Sequence, residues 1–113
     1  TTQDKLKIIE KLIRISKKRN IKYLSNKITY TLILRIRTLY IIKKLADNEK
    51  YSKKDFLKKI RDISGGNNAY EGYLDVKNNL GNKNELSLDE AERLYEYLKN
   101  ELIEVKKLVL KKR

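Results

Sequence analysis

Apolar residues recur along this chain at spacings of three and four, the period of one helix face, in five separated stretches. The densest is 26–47, NKITYTLILRIRTLYIIKKLAD. At 100° per residue, Ile28, Leu32, Ile33, Ile36, Leu39 and Tyr40 cover one side, and Leu34, Ile41, Ile42 and Leu45 cover much of the other. This predicts a central helix buried nearly all round. Tyr30, Arg37 and Lys44, seven apart, form the one narrow strip left to solvent.

The flanking stretches follow the same period. Thr1 or Thr2 can cap a first helix over about 3–19, with Leu6, Ile8, Ile9, Leu12, Ile13 and Ile15 on one half of its circumference. Arg19–Ser25 turns the chain, with room for a short helical turn at Ile21–Leu24, and Ser25 or Asn26 caps the central helix. Ser52-Lys53-Lys54-Asp55 is close to a capping box and opens a third helix over 53–63, which buries Phe56, Leu57, Ile60 and Ile63 and stops at Gly65-Gly66. A fourth helix, about 68–79, presents Ala69, Tyr70, Tyr73, Leu74, Val76 and Leu80, with Gly81 closing it. Ser87-Leu88-Asp89-Glu90 is a full capping box. It starts a long last helix, about 88–111, that buries Ala91, Leu94, Tyr95, Leu98, Leu102, Val105 and Val109. No segment alternates with period two and there is no proline, so the pattern predicts an all-α bundle of about five helices around the 26–47 helix, its two long helices packed together.

Composition narrows the chemistry. A chain of 113 residues has room for one domain, burying about two-thirds of its unfolded surface without staples. It contains neither cysteine nor histidine, which removes disulfides, thiolate and imidazole metal sites, haem ligation and the Ser-His and Cys-His dyads. No enzymatic role, cofactor or metal is therefore expected. The apolar run of the central helix is interrupted by Arg35 and Arg37, short of the roughly twenty residues that cross a bilayer, and nothing resembles a signal peptide. A cytosolic protein with no membrane partner is the expectation. The absence of methionine implies that the chain has lost its initiator or belongs to something longer.

Charge changes the picture further. Residues 1–61 carry 19 Lys and Arg against 5 Asp and Glu, net +14, while residues 62–113 carry 9 against 10, net −1. Such asymmetry points to a polyanion or to an acidic protein surface. On the first helix Lys7, Lys11, Arg14 and Lys18 fall within about 60° of one another. Unmixed like charges at these spacings mildly oppose an isolated helix, which suits contact with something negative. Arg37 and Lys44 extend this phosphate-binding stripe if the first two helices lie side by side. Arg35 projects within the apolar arc of the central helix, either snorkelling to solvent or paired with a buried acid, or else serving as a phosphate or carboxylate ligand in a crevice between helices. Tyr23 and Tyr30, beside basic residues, are the candidates for stacking on bases. Glu71 and Asp75, four apart, could share a divalent ion but read more simply as a solvated face. The acids and bases on the outside of the last helix, Glu92, Glu96, Glu101 and Glu104 with Arg93, Lys99 and Lys106, also read as solvated. Gly65-Gly66-Asn67-Asn68 follows no strand and is a helix end rather than a phosphate loop.

The run TLILRIRTLYIIKKL, the capped YSKKDFLKKIRDISG, then AYEGYLDVKNN and LSLDEAERLYEYLKNELIEVKKL together resemble the helical domain that follows the catalytic domain in archaeal minimal nucleotidyltransferases. These regions are HEPN-like, and relatives occur as separate substrate-binding or toxin–antitoxin partner subunits. The resemblance covers about 26–110 and lies in pattern rather than a diagnostic motif. HEPN ribonucleases use Arg followed by four residues and His, which no position here can match, and the Gly-Ser element and paired carboxylates of a nucleotidyltransferase are also missing. The resemblance thus implies a non-catalytic module that docks to, or binds substrate for, a nucleotidyltransferase-type domain in the parent chain or on a partner subunit. The alternative from charge is a free-standing bundle that binds RNA or DNA through the first-helix stripe.

Overall fold

Local chemistry sets where each helix begins and ends. In the computed structural model, which describes residues 2–78 and 86–111, the helices are α1 Thr2–Lys18, α2 Asn26–Ala46, α3 Lys53–Ser64, α4 Asn68–Lys77 and α5 Leu88–Lys111. Ser25 caps α2 by accepting from the Lys27 amide at 3.1 Å, and Ser52 caps α3 by accepting from Asp55 at 3.3 Å. The Ser87 hydroxyl accepts from the Glu90 amide at 3.2 Å while donating to the Glu90 carboxylate at 2.9 Å. Each contact satisfies a first-turn donor that the helix cannot pair itself. At the other end, α3 stops where Gly65 turns left-handed at φ 84°, its amide donating to Arg61. Asn20 and Asn48, both at φ 56°, take the same conformation just beyond α1 and α2.

Two short strands were not expected. β1, Tyr23–Leu24, pairs antiparallel with β2, Leu86–Ser87, in the register Tyr23 with Ser87 and Leu24 with Leu86. The turn at 21–24 is thus extended rather than helical. Two residues are too few to show a period, so the pairing is visible only once the starts of α2 and α5 lie together. Leu24 and Leu86 carry it into the core, and Leu86 is almost fully enclosed.

The two long helices run side by side in one direction, since Lys43 near the end of α2 meets Glu101 and Glu104 at similar depth in α5. Leu32, Ile33 and Ile36 of α2 and Leu94 and Leu98 of α5 are at most 1% exposed, with Phe56 and Ile60 of α3 beside them. α4 covers another flank of α2, and α1 lies along α5 in the opposite sense, joined by Lys17 to Glu92 at 2.6 Å. The domain measures 44 × 28 × 23 Å. None of the described helices is long and apolar enough to cross a membrane.

Three expectations need correction. The central helix is not buried all round: Leu34 and Ile41 are half-buried, Ile42 is exposed, and Leu45 is 69% exposed. α3, α4 and α5 cover α2 on adjoining sides, and α1 packs on α5 instead of closing the circle. The strip of Tyr30, Arg37 and Lys44 is the better covered edge, half-buried beneath α4 and the turn after α2. The α5 carboxylates are also not simply solvated, because Glu92, Glu101 and Glu104 pair with lysines of α1 and α2. Leu80 and Gly81, and the side chain of Val109, lie outside the described residues.

Leu32→Ala or Ile36→Ala should therefore cost roughly 2–5 kcal/mol. Leu45→Ala should cost less than about 0.5 kcal/mol, as exposed substitutions do. Denaturant titration checks the contrast, and similar losses at the three positions would mean that α2 is enclosed on all sides.

Candidate functional site

α1 acquires its character from having one main neighbour. Leu6, Ile9, Ile13 and Ser16 face α5 and are buried. Six apolar side chains spread over half a helix are more than one neighbour can cover, since an ordinary core-facing stripe is about 100° wide. The remainder stays outside: Ile8, Leu12 and Ile15, at spacings of four and three, are 54%, 38% and 47% exposed. Ile21 and Tyr23 continue the exposed apolar surface beyond the end of α1.

Beside this row runs the basic stripe. Lys7, Lys11 and Lys18 are exposed and make no ion pair among the described residues. Arg14 also points outward, but Glu10 takes its guanidinium at 2.9 Å. Such an exposed pair is worth about 0.5 kcal/mol, so a stronger anion could displace it. An apolar row edged by cations thus occupies the outer side of α1.

Arg37 and Lys44 belong elsewhere and do not lengthen this stripe. The Arg37 Nε–H donates to Tyr51 Oη at 3.4 Å, and its guanidinium carbon lies 5.4 Å from the Tyr51 ring centre. That hydrogen bond holds the Arg37 pKa above its ordinary value. Lys44 bonds Glu49 at 2.7 Å and sits over the Tyr40 ring. Arg37 thus faces α4 and the start of α3, and Lys44 the turn after α2.

Of the stacking candidates, Tyr23 is free. It stands exposed in an open cleft of about 480 Å³ beside Lys17, Lys22 and the start of α5. Tyr30 is not, because its ring stacks on Tyr73 with centres 5.2 Å apart and planes 15° from parallel. Glu71 is exposed, and the Asp75 side chain lies outside the described residues. Among the described residues no group of three acids is placed to hold a metal ion.

Arg35 lacks the expected pairing with a buried acid among the described residues. It is half-buried, its Nε is enclosed without a hydrogen-bond partner, and none of the described carboxylates comes within ion-pair distance.

The cluster that sequence reasoning missed sits between α2, α3 and α5. Partial burial lowers the Lys43 pKa, but hydrogen bonds to Glu101 and Glu104 outweigh that effect and hold the ammonium above 10.5. Tyr97, half-buried beside the same carboxylates, has its phenol pushed far up by burial first and by Glu101 second. Lys59 of α3 caps the Tyr97 ring at 5.5 Å. These groups satisfy one another and tie three helices together, which gives the cluster a structural role. The only signal in the sequence was that lysines of the first half face glutamates of the second.

An enclosed N–H without a partner opposes folding, so Arg35→Met, which keeps the stem and removes the buried donor, should leave stability within about 0.5 kcal/mol or raise it by up to about 1. Chemical denaturation tests this, and a loss above about 2 kcal/mol would reveal an ion pair.

Compared with known proteins, the chain matches no family model, no curated protein and no solved structure.

Proposed function

We propose that this chain is a non-catalytic docking module that presents α1 to an acidic face of a partner protein. The observation that carries the reading is the exposed row of Ile8, Leu12 and Ile15 beside Lys7, Lys11 and Lys18, which have no ion pair among the described residues. A contiguous apolar patch rimmed by polar residues is characteristic of protein contact, and a phosphate backbone would have no use for the isoleucines. Completing the burial of three partly exposed aliphatic side chains contributes on the order of 3 kcal/mol, millimolar affinity by itself, so the strip is one part of a larger interface. The lysines select an acidic rim and speed encounter. They also disfavour a second copy, because a net charge of +13 would set like charges face to face. The resemblance of residues 26–110 supports a nucleotidyltransferase-type catalytic domain or subunit as the partner.

One observation favours a second reading, direct binding of RNA or DNA: three outward lysines on α1 have no acidic partner among the described residues. Three contacts would give a salt slope near −2 on a single strand and about −2.7 on duplex.

The test joins the two. Ile8→Asp with Ile15→Asp should weaken capture of a nucleotidyltransferase-type domain encoded in the same or adjacent reading frame by more than about tenfold, with the unfolding midpoint unchanged. Anisotropy of a labelled single strand at about 50 mM salt, with Lys7, Lys11 and Lys18 changed together to Glu, measures the other reading. Unaltered capture by the isoleucine variant, with strand binding abolished in the lysine variant, would put nucleic-acid binding in place of docking.

A further inference from the structure

Away from α1, a cavity of about 120 Å³ opens between α2, α3 and α4. Arg37, Lys53 and Lys77 line it with the tyrosines Tyr51, Tyr70 and Tyr73, over a floor made by Phe56. Among the described residues that line it, none is acidic. By contrast, Arg14, Lys17, Lys43 and Lys44 each meet a glutamate within 3.1 Å. Three cations around one small space repel one another, and among the described residues nothing neutralises them.

Arg37 is already oriented. Its Nε is held by the Tyr51 hydroxyl and its plane lies near the Tyr51 ring, while its two terminal nitrogens have no partner among the described residues. Those nitrogens form the fork that grips phosphate or carboxylate in a bidentate manner. Burial keeps the phenols of Tyr70 and Tyr73 protonated, with Arg37 opposing it only in part, so both can donate. Lys53 is the first residue of α3, whose N-terminus adds the positive end of its dipole.

Size and charge then choose the ligand class. About 120 Å³ equals the share of roughly four waters, well below the ~300–1,000 Å³ of a site for a whole small molecule, so the cavity takes a single group. Three cations with phenol donors suit a doubly charged group better than a carboxylate. We propose that this cavity binds a phosphate dianion, either inorganic phosphate or the terminal phosphate of a phosphomonoester. The site shares no residue with the α1 row and stands whether or not α1 docks a partner.

The experiment is calorimetric titration of the intact chain with inorganic phosphate at constant ionic strength, followed by a nucleoside monophosphate and by a dinucleotide with only an internal phosphodiester. Phosphate should bind in the millimolar range or tighter, and acetate several-fold more weakly. Arg37→Met should weaken phosphate by about tenfold or more, the effect of removing a charged hydrogen-bonding group. Tyr51→Phe keeps the ring beneath Arg37 but frees its Nε, and should weaken binding several-fold without unfolding the domain. Lys77→Met, at an exposed position, should do the same, whereas Lys106→Met on the outside of α5 should have no effect. Tighter binding of the monophosphate than of inorganic phosphate would assign the phosphomonoester as ligand, and equal binding would assign the free ion. Preference for the dinucleotide would overturn the proposal in favour of a nucleic-acid backbone. No heat with phosphate at roughly 10 mM, or equal losses from Lys106→Met and Arg37→Met, would show only diffuse attraction to a basic protein.

Discussion

The side-by-side pairing of α2 with α5 is the constraint on which the remainder depends. Ser25 and Ser87 start the two helices beside each other where β1 meets β2, and Lys43 between Glu101 and Glu104 fixes their register toward the far end. Between those points Leu32, Ile36, Leu94 and Leu98 exclude water, which supplies most of the favourable energy. α4 and α3 then close one side of this pair, and α1 rests on α5. Among the described residues no further helix lies over the outer sides of α1 and α2. The exposed Ile8, Leu12 and Ile15, and the exposed Leu45, follow from that shortage of partners.

The same arrangement explains what happens to the charge. Along the sequence the bases crowd into the first half; in space many of them meet acids of the second, as Lys17 meets Glu92 and Lys43 meets Glu101 and Glu104. Surface pairs of this kind add little stability each, but they determine which cations remain free. Among the described cations left without an acidic partner are Lys7, Lys11 and Lys18 along α1, and Arg37, Lys53 and Lys77 around the small cavity.

Much of the architecture was legible in the sequence because its signals are local. Helix period, the serines at three N-caps and Gly65 at the end of α3 each act within a few residues. Burial of Phe56, Ile60, Leu94 and Leu98 followed from the same period. The misreadings were of a different kind, since they depended on which helix lies next to which. An apolar residue such as Leu45 shows that a face prefers cover, not that a neighbour exists to provide it. Arg37 and Lys44 looked continuous with the α1 stripe only while α1 was imagined beside α2. Tyr30 looked available for stacking until α4 brought Tyr73 against it. Pairing with a buried acid is one expectation for Arg35, yet its Nε is enclosed with no partner among the described residues.

Docking through α1 is the central functional claim, and amide hydrogen exchange of the free chain and of its complex with a nucleotidyltransferase-type catalytic domain tests it most directly. Exchange near the surface reports local opening, so a partner lying along one helix slows exchange there first. The account predicts added protection concentrated in α1, over about residues 5–19, with the α3 and α4 amides nearly unchanged. Protection confined to α3 and α4, or spread evenly over the domain with α1 no more affected than the rest, would contradict it.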